Sequence, residues 1–426
     1  MKKIFTIMLL LCQSAGAQQK SLTTTLSFET IGEGYNAILS VSETEIRSRA
    51  LPGIPRPLVY TDSIKRKGDL VSGTITILQW NCAFSGYLSA DSLDLQLISR
   101  RDGRDLGRLK GGKSERISYT MSSVVEQMME LTHRYIYDPR QLDTKEWKDY
   151  EAELRQYGAF LQDDLELLAL AYRNINSLPF THYTLSKMSD IAWKHYYEEA
   201  YETSTPATLT ELQQGTALLD ITSFGGNGKS LEEYMQQVID RKYSNLVIDL
   251  RENSGGGAGA VLALSKYLAN GEAPAGALLT SKWFQKHKGP PTTKDYKNFM
   301  VFSEGSTLEL INSFTKHEGI ILQAKPAAKI FNGKIYILTS NTTASACEPF
   351  VCSMQYFKRA VIVGEQTAGA MLSKIPFDMA NGYKLFLPVA DYYTIDGRRL
   401  DKNGVKPDIL TGKDEALEKV KAMINE

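Results

Sequence analysis

Apolar and polar positions alternate through residues 22–110. Thr74-Ile75-Thr76-Ile77 and Leu93-Asp94-Leu95-Gln96-Leu97 keep a period of two, the spacing of strands with one buried face. Breaks such as Lys67-Gly68-Asp69 and Asp102-Gly103 divide the runs. The pattern predicts an all-β domain over 18–112, a small sandwich or partial barrel, with no catalytic signature. Near residue 115 the period changes. Val124, Val125, Met128, Met129 and Leu131 recur with helical spacing, and Asp143 followed by Glu146 has the form of a capping box opening a second helix. A third helix is expected from about Asp163 to Ile175, so 113–182 reads as a helical lead segment.

From about residue 213 strands and helices alternate. Thr216–Ile221, Asn245–Leu250, Lys334–Thr339 and Ala360–Val363 read as strands, and Ser230 with Glu233 reads as the cap of an intervening helix. The Asn245–Leu250 strand is apolar without a break through Leu246, Val247 and Ile248, as expected of a strand covered on both faces. This alternation implies a layered α/β core over 183–426 with mostly parallel pairing. Residues 271–330 break the rhythm with more Lys, Pro and Gly. They are expected to form a cap over the core, whose apolar residues are candidates for a specificity pocket.

A chain of 426 residues suggests two or three domains, and 42% hydrophobic with 23% charged residues is the composition of a globular protein. Lys plus Arg (49) equals Asp plus Glu (49), and no like-charge run supplies a basic face, which argues against nucleic acid as a partner. Lys2 and Lys3, the apolar run Ile4–Leu11 and the small-x-small site Ala15-Gly16-Ala17 read as an export signal over 1–17, with a mature chain starting at Gln18. A periplasmic or extracellular location follows. The alternatives are an N-terminal anchor helix, for which the run is short, and lipidation at Cys12. No other segment has 18 consecutive apolar residues. Beyond the signal remain Cys82, Cys347 and Cys352, an odd number that cannot complete a disulfide framework, and neither CxxC nor HExxH is present. The three are read as small buried side chains, with no metal or other cofactor implied.

Four segments carry candidate chemistry. An apolar strand from Leu246 ends in Asp249, Arg251 and Asn253 and then Gly255-Gly256-Gly257, where backbone N–H groups can approach a ligand. Alone, this is equally a tight turn. Ser340–Phe350 follows a strand and opens a helix, with Pro349 in the first turn. Ser345 there lies beside orphan N–H groups and the positive end of a helix dipole, although a plain N-cap has the same composition. Phe180-Thr181-His182-Tyr183 contains one of only five histidines. Asp396–Ile409 is a polar turn whose Asp401 is a candidate carboxylate, or simply a solvated one.

In this order the segments resemble one family, the C-terminal processing (tail-specific) peptidases and their tricorn-core relatives. The residues carrying the resemblance are Val247–Gly257, Thr343–Glu348, Val361–Gly369, Asn381–Val389, Asp401–Ile409 and the Phe180–Leu185 element, spread over about 115–415. The resemblance implies a ClpP/crotonase-like core and a serine endopeptidase. In the tail-specific branch a Lys follows the last Gly of the GExTxG element. Ala370 stands there, and Lys374 lies four residues on. The tricorn-like branch uses a His and a distant carboxylate, which maps onto His182 and onto Asp401 in place of the usual Glu. About 30 residues separate His182 from the next strand, too few for the PDZ domain that many members insert. The implied chemistry is attack by Ser345 on a peptide carbonyl, with His182 as base and Asp401 as its orienting carboxylate. The N–H groups of Ala346 and of Gly255 or Gly256 would form the oxyanion hole. The rival readings are a non-catalytic peptide-binding homologue on the same scaffold, or an adhesion or glycan-binding protein led by its β-domain.

Overall fold

The structure, a computed structural model, describes residues 20–27, 34–51, 53–54, 56–113, 119–187 and 203–426. The leader over 1–17 and the start at Gln18 lie outside the described residues. The chain divides into two compact units, 1–118 with 162–169, and 119–161 with 170–426.

The first unit is a closed antiparallel barrel of eight strands: β1 (Lys20–Ser27), β2 (Gly34–Val41), β3 (Ile46–Ser48), β4 (Val59–Lys67), β5 (Leu70–Ile77), β6 (Trp80–Leu88), β7 (Ser92–Ser99) and β8 (Asp105–Lys113). β8 returns to pair with β1, so of the two architectures expected the sandwich is corrected to a barrel. Gly73 and Gly86 help the sheet curl. A Cβ there would lie 2.0 Å from the Ser63 carbonyl oxygen and 2.1 Å from that of Asp94. The alternating residues Leu93, Leu95 and Leu97 all face inward and are buried, and an eight-stranded barrel is narrow enough for side chains to fill. Residues 162–169 belong to this unit. Asp163 and Asp164 accept the backbone N–H groups of Ile38 (2.8 Å) and Asn36 (2.9 Å), and Glu166 takes a bidentate bond from Arg49 at 2.5 and 2.6 Å. Burial, with Glu166 close by, pushes the Asp163 carboxyl up to about 7.

The second unit opens with α1 (Met121–Tyr135) and α2 (Lys145–Gly158), followed by the end of α3 (Asp164–Arg173). The N-cap of α2 is Thr144, not Asp143. Pro139 starts a 3₁₀ turn over Pro139–Asp143 that uses Asp143, and the Thr144 side chain accepts the Trp147 N–H instead. β9 (Thr184–Lys187) then precedes the core.

The core contains two sheets. In the first, β10 (Ala207–Gln213) is antiparallel to β11 (Thr216–Ile221), which continues in parallel through β12 (Asn245–Asp249), β16 (Lys334–Thr339), β17 (Val361–Gly364) and β20 (Ile409–Leu410). Its helices are α4 (Lys229–Asp240), α5 (Ala258–Ser265), α8 (Cys347–Tyr356) and α9 (Ala416–Asn425), numbered with α6 (Ser281–Lys286) and α7 (Thr307–Ser313) between them. Successive residues of β12 face opposite layers. Leu246 and Ile248 pack with Leu231, Leu264 and Phe350 of α4, α5 and α8, whereas Val247 packs with Ala416 and Val420 of α9. That double coverage accounts for the unbroken apolar run. The cap expected from Ser230 is absent. α4 starts after Gly228 in the left-handed conformation, and the Ser230 hydroxyl donates to the Thr205 carbonyl at 2.8 Å.

The second sheet runs β14 (Met300–Phe302), β15 (Gly319–Ala324), β13 (Ala273–Thr280), β19 (Tyr383–Thr394), β18 (Leu372–Asp378), with β9 also paired to β19. All its pairs are antiparallel except β14 with β15. Residues 271–330 are therefore not a separate cap. Their strands β13 and β15 are internal to this sheet, and Leu278, Phe302, Ile320 and Leu322 are buried in the main core.

Ile337 is fully buried at the centre of the parallel sheet. The Ile337→Ala variant should lose about 2–5 kcal/mol of unfolding free energy in urea titrations. A loss below about 1 kcal/mol would mean that this sheet does not form the stabilising core.

Candidate active site

Two loops meet at the carboxyl ends of β12 and β16. After β12, Asn253 is buried. Its Nδ2 donates to the Ile221 carbonyl at 3.0 Å, and its Oδ1 accepts the Gly255 N–H at 2.9 Å. After β16, the Ser340 hydroxyl donates to the Arg251 carbonyl (2.6 Å), the Thr343 hydroxyl to the Leu250 carbonyl (2.8 Å), and the Ala344 N–H to the Asn253 carbonyl (3.2 Å). Short polar side chains thus stitch the glycine turn to the serine turn. Contact is close enough that a Cβ on Gly255 would lie 2.6 Å from the Ser345 Cβ.

Ser345 itself adopts φ +54°, a left-handed backbone that costs a non-glycine residue on the order of 1–3 kcal/mol. The Ala370 carbonyl, which accepts the Ser345 N–H at 3.0 Å, and Glu348 hold it there. This buried carboxylate accepts the Thr367 hydroxyl (2.6 Å) and the N–H groups of Gly369 (2.8 Å), Ala370 (2.9 Å) and Ser345 (3.2 Å). Burial raises its pKa, and these hydrogen bonds oppose the rise. The turn sends the chain directly into α8 and leaves the Ser345 hydroxyl in a cleft.

His182 reaches the same cleft. Phe180 and Tyr183, on either side of it, are buried against Trp147 of α2, with ring centroids 5.8 and 5.7 Å away. The Tyr183 and Thr132 hydroxyls are hydrogen-bonded at 2.9 Å. Between these anchors His182 also has a left-handed backbone, φ +63°, and its Nε2 lies 3.2 Å from Ser345 Oγ. Residues 163 positions apart are thereby within hydrogen-bond reach.

Asp401 is fully buried rather than solvated, yet it does not touch the imidazole. Thr181 stands between them. Its hydroxyl is 2.8 Å from His182 Nδ1 and donates to Asp401 Oδ1 at 2.5 Å. An ionised carboxylate only accepts, so the single hydroxyl proton points to Asp401 and the Thr181 oxygen faces Nδ1 as an acceptor. Nδ1 must then carry the ring proton, and Nε2 presents its lone pair to Ser345. Asp401 also accepts the Met371 N–H (3.2 Å) and an Arg399 N–H (3.2 Å). Arg399 in turn donates to Asp391 at 2.6 Å and to the Tyr137 hydroxyl at 2.8 Å. Burial raises the Asp401 pKa, opposed by Thr181 and Arg399.

The two N–H groups suggested from Gly255 and Gly256 are not equivalent. That of Gly255 is bound to Asn253, which removes it from the expected oxyanion hole. Those of Gly256 and Ala346 have no protein acceptor among the described residues. Gly256 cannot be substituted easily, because a Cβ there would lie 2.1 Å from the Phe224 carbonyl carbon. The cleft has a volume of about 410 Å³, and beyond Ser345 and His182 it is largely apolar, with Val261, Leu278, Leu310, Phe314 and Met354 among its walls. Leu278, Leu310 and Phe314 come from the 271–330 segment. Cys347 and Cys352 are buried free thiols whose pKa values burial raises, that of Cys352 to about 11, so neither is a thiolate at neutral pH.

The sequence reading missed Thr181 and Arg399. A hydroxyl residue immediately before the candidate His was a usable signal for the first. Nothing local marked Arg399, whose partners are distant in the chain.

Residues 215–411 match peptidase family S41. The chain is 23% identical over 194 residues to carboxyl-terminal-processing peptidase 1, chloroplastic, of Arabidopsis thaliana (45% of this chain, 33% of that protein). It is 35% identical over 75 residues to C-terminal processing peptidase, chloroplastic, of Tetradesmus obliquus (18% of this chain, 16% of that protein). It thus spans about a third or less of these curated relatives. Among solved structures, it resembles a photosystem II D1 C-terminal processing protease with a TM-score of 0.43 and 15% identity, over 72% of this chain and 98% of that one.

Burial, and secondarily the charge of Lys374, push the His182 imidazole down to about 3. Above the ordinary His value of about 6.5, folded and unfolded chains both hold it neutral, and its contribution to stability is complete. Below that value only the unfolded chain takes up the proton, so stability is lost as the pH falls toward 3. Relative to His182→Gln, the wild type should lose about 1–2 kcal/mol of unfolding free energy between pH 6.5 and 5. Parallel stability curves for the two proteins would contradict a buried neutral imidazole.

Proposed function

We propose that the chain, whose residues 215–411 match peptidase family S41, is an exported serine endopeptidase of that family acting through an acyl-enzyme on Ser345. The observation that carries the reading is the 3.2 Å approach of His182 Nε2 to Ser345 Oγ in the cleft that both line. Ser345 Oγ attacks the peptide carbonyl carbon while Nε2 accepts the hydroxyl proton. The carbonyl oxygen becomes an oxyanion facing the N–H groups of Gly256 and Ala346, and such donors are each worth about 3 kcal/mol of barrier. As the C–N bond breaks, the leaving amine takes the proton from Nε2. Water, deprotonated by the same nitrogen, then hydrolyses the ester. Throughout, Nδ1–H remains bonded to Thr181, and the Asp401 charge stabilises the transient imidazolium through that hydroxyl.

Export is supported by the basic, apolar and small-residue order of Lys2-Lys3, Ile4–Leu11 and Ala15-Gly16-Ala17. Among the described residues, no helix is long and apolar enough to cross a membrane. The proposed boundaries are a β-domain over 18–112, a lead segment over 113–182 and a peptidase core from 183.

Ser345→Ala should lower cleavage of an unstructured peptide by at least about a thousandfold. Retention of the wild-type rate would remove Ser345 from its assigned role. Thr181→Val should reduce kcat/KM by about a hundredfold through loss of tautomer control, and Thr181→Ser should restore most of it. If the Val variant cleaves at the wild-type rate, the hydroxyl relay is not used.

A further inference from the structure

Lys374 brings a charge into the cleft that the proposed reaction leaves unused. It lies on β18, which among the described residues pairs only with β19, and it lines the same cleft as Ser345 and His182. Its ammonium stands 5.0 Å from the centre of the Phe386 ring. Among the described residues it has no hydrogen-bond acceptor and no carboxylate partner, although the chain pairs the buried Lys384 and the partly buried Arg399 and Arg251 with acids. It makes no hydrogen bond to Ser345, whose hydroxyl is approached by His182 instead. Burial lowers its pKa with no anion to offset the effect. A half-buried cation in this position is held at a cost, since desolvation is uncompensated and His182 must also remain uncharged beside it. Stacking over one aromatic ring recovers only part of that cost.

An arriving carboxylate would reverse the situation. It would restore the favoured charge of the amine and gain a charge-assisted hydrogen bond against largely apolar walls. Apolar walls around a single cation also discriminate sharply, because an uncharged amide in the same place leaves the ammonium unpaired. We propose that Lys374 receives a carboxylate of the peptide substrate, making this cleft selective for substrates with a negative charge near the scissile bond. This rests on the peptidase reading above. The carboxylate has two possible sources of the same chemistry, the α-carboxylate of the chain end or an Asp or Glu side chain.

Matched peptide pairs test this. One pair differs only in a free or amidated C-terminus, and others carry Glu or Gln at successive positions flanking the cleaved bond. For one pair the wild type should favour the carboxylate member by tenfold or more in kcat/KM, chiefly through KM, as expected of a hydrogen bond to a charged group. The pair that responds identifies the source. In Lys374→Gln the ratio should fall to about one, and in Lys374→Arg it should persist. A wild-type ratio near one in every pair overturns the proposal, as does a ratio preserved in Lys374→Gln or the loss of cleavage of both members in that variant. Failure of the peptidase reading itself would appear separately, as wild-type protein that cleaves none of the peptides.

Discussion

The Glu348 carboxylate is the fixed point of the site. It sits in the first turn of α8 and gathers four donors, from Thr367, Gly369, Ala370 and Ser345. A left-handed serine is unfavourable unless its surroundings over-determine it. Here one oxygen binds the chain after β17 while the other binds both Ala370 and the N–H of Ser345, so the strained residue is tied to two loops at once. An anion at a helix N-terminus is also favoured by the exposed peptide dipoles there. Buried without those donors, the same carboxylate would be strongly destabilising.

The imidazole is held by a different kind of force. Packing of Phe180 and Tyr183 against Trp147 sets its position, while the hydroxyl of Thr181 sets its tautomer. Asp401 acts one atom group removed, and its own burial is made tolerable by Arg399, which it shares with Asp391. Position from apolar packing and proton placement from a polar chain are thus separable. The shorter Asp, where the resembling branch carries Glu, fits this arrangement because Thr181 occupies the space between the carboxylate and the ring.

Much of this was legible in the chain. The apolar run Leu246–Ile248 of β12 announced a strand covered on both faces, and the order of His182, the glycine turn, Ser345 and Asp401 announced the cluster. The second sheet was not legible. Its strands come from both ends of the domain, and β18 carries Lys374 and Pro376, residues a local reading places in loops although an edge strand accepts them. Asp401 looked like a solvated turn residue because burial there depends on Arg399 and Thr181, and no local window shows the pairing with Thr181. The commitment of the Gly255 N–H to Asn253 was equally invisible, since it depends on a side-chain rotamer within the turn.

The central claim is that the held turn and the neutral imidazole together make Ser345 a nucleophile. Treating the intact chain with a serine-directed phosphonate and mapping the adduct by peptide mass spectrometry reads this directly. The account predicts a single adduct on the peptide containing Ser345 in the wild type, and none in His182→Ala. An unmodified Ser345 in folded wild-type protein, or equal labelling of both proteins, would contradict it.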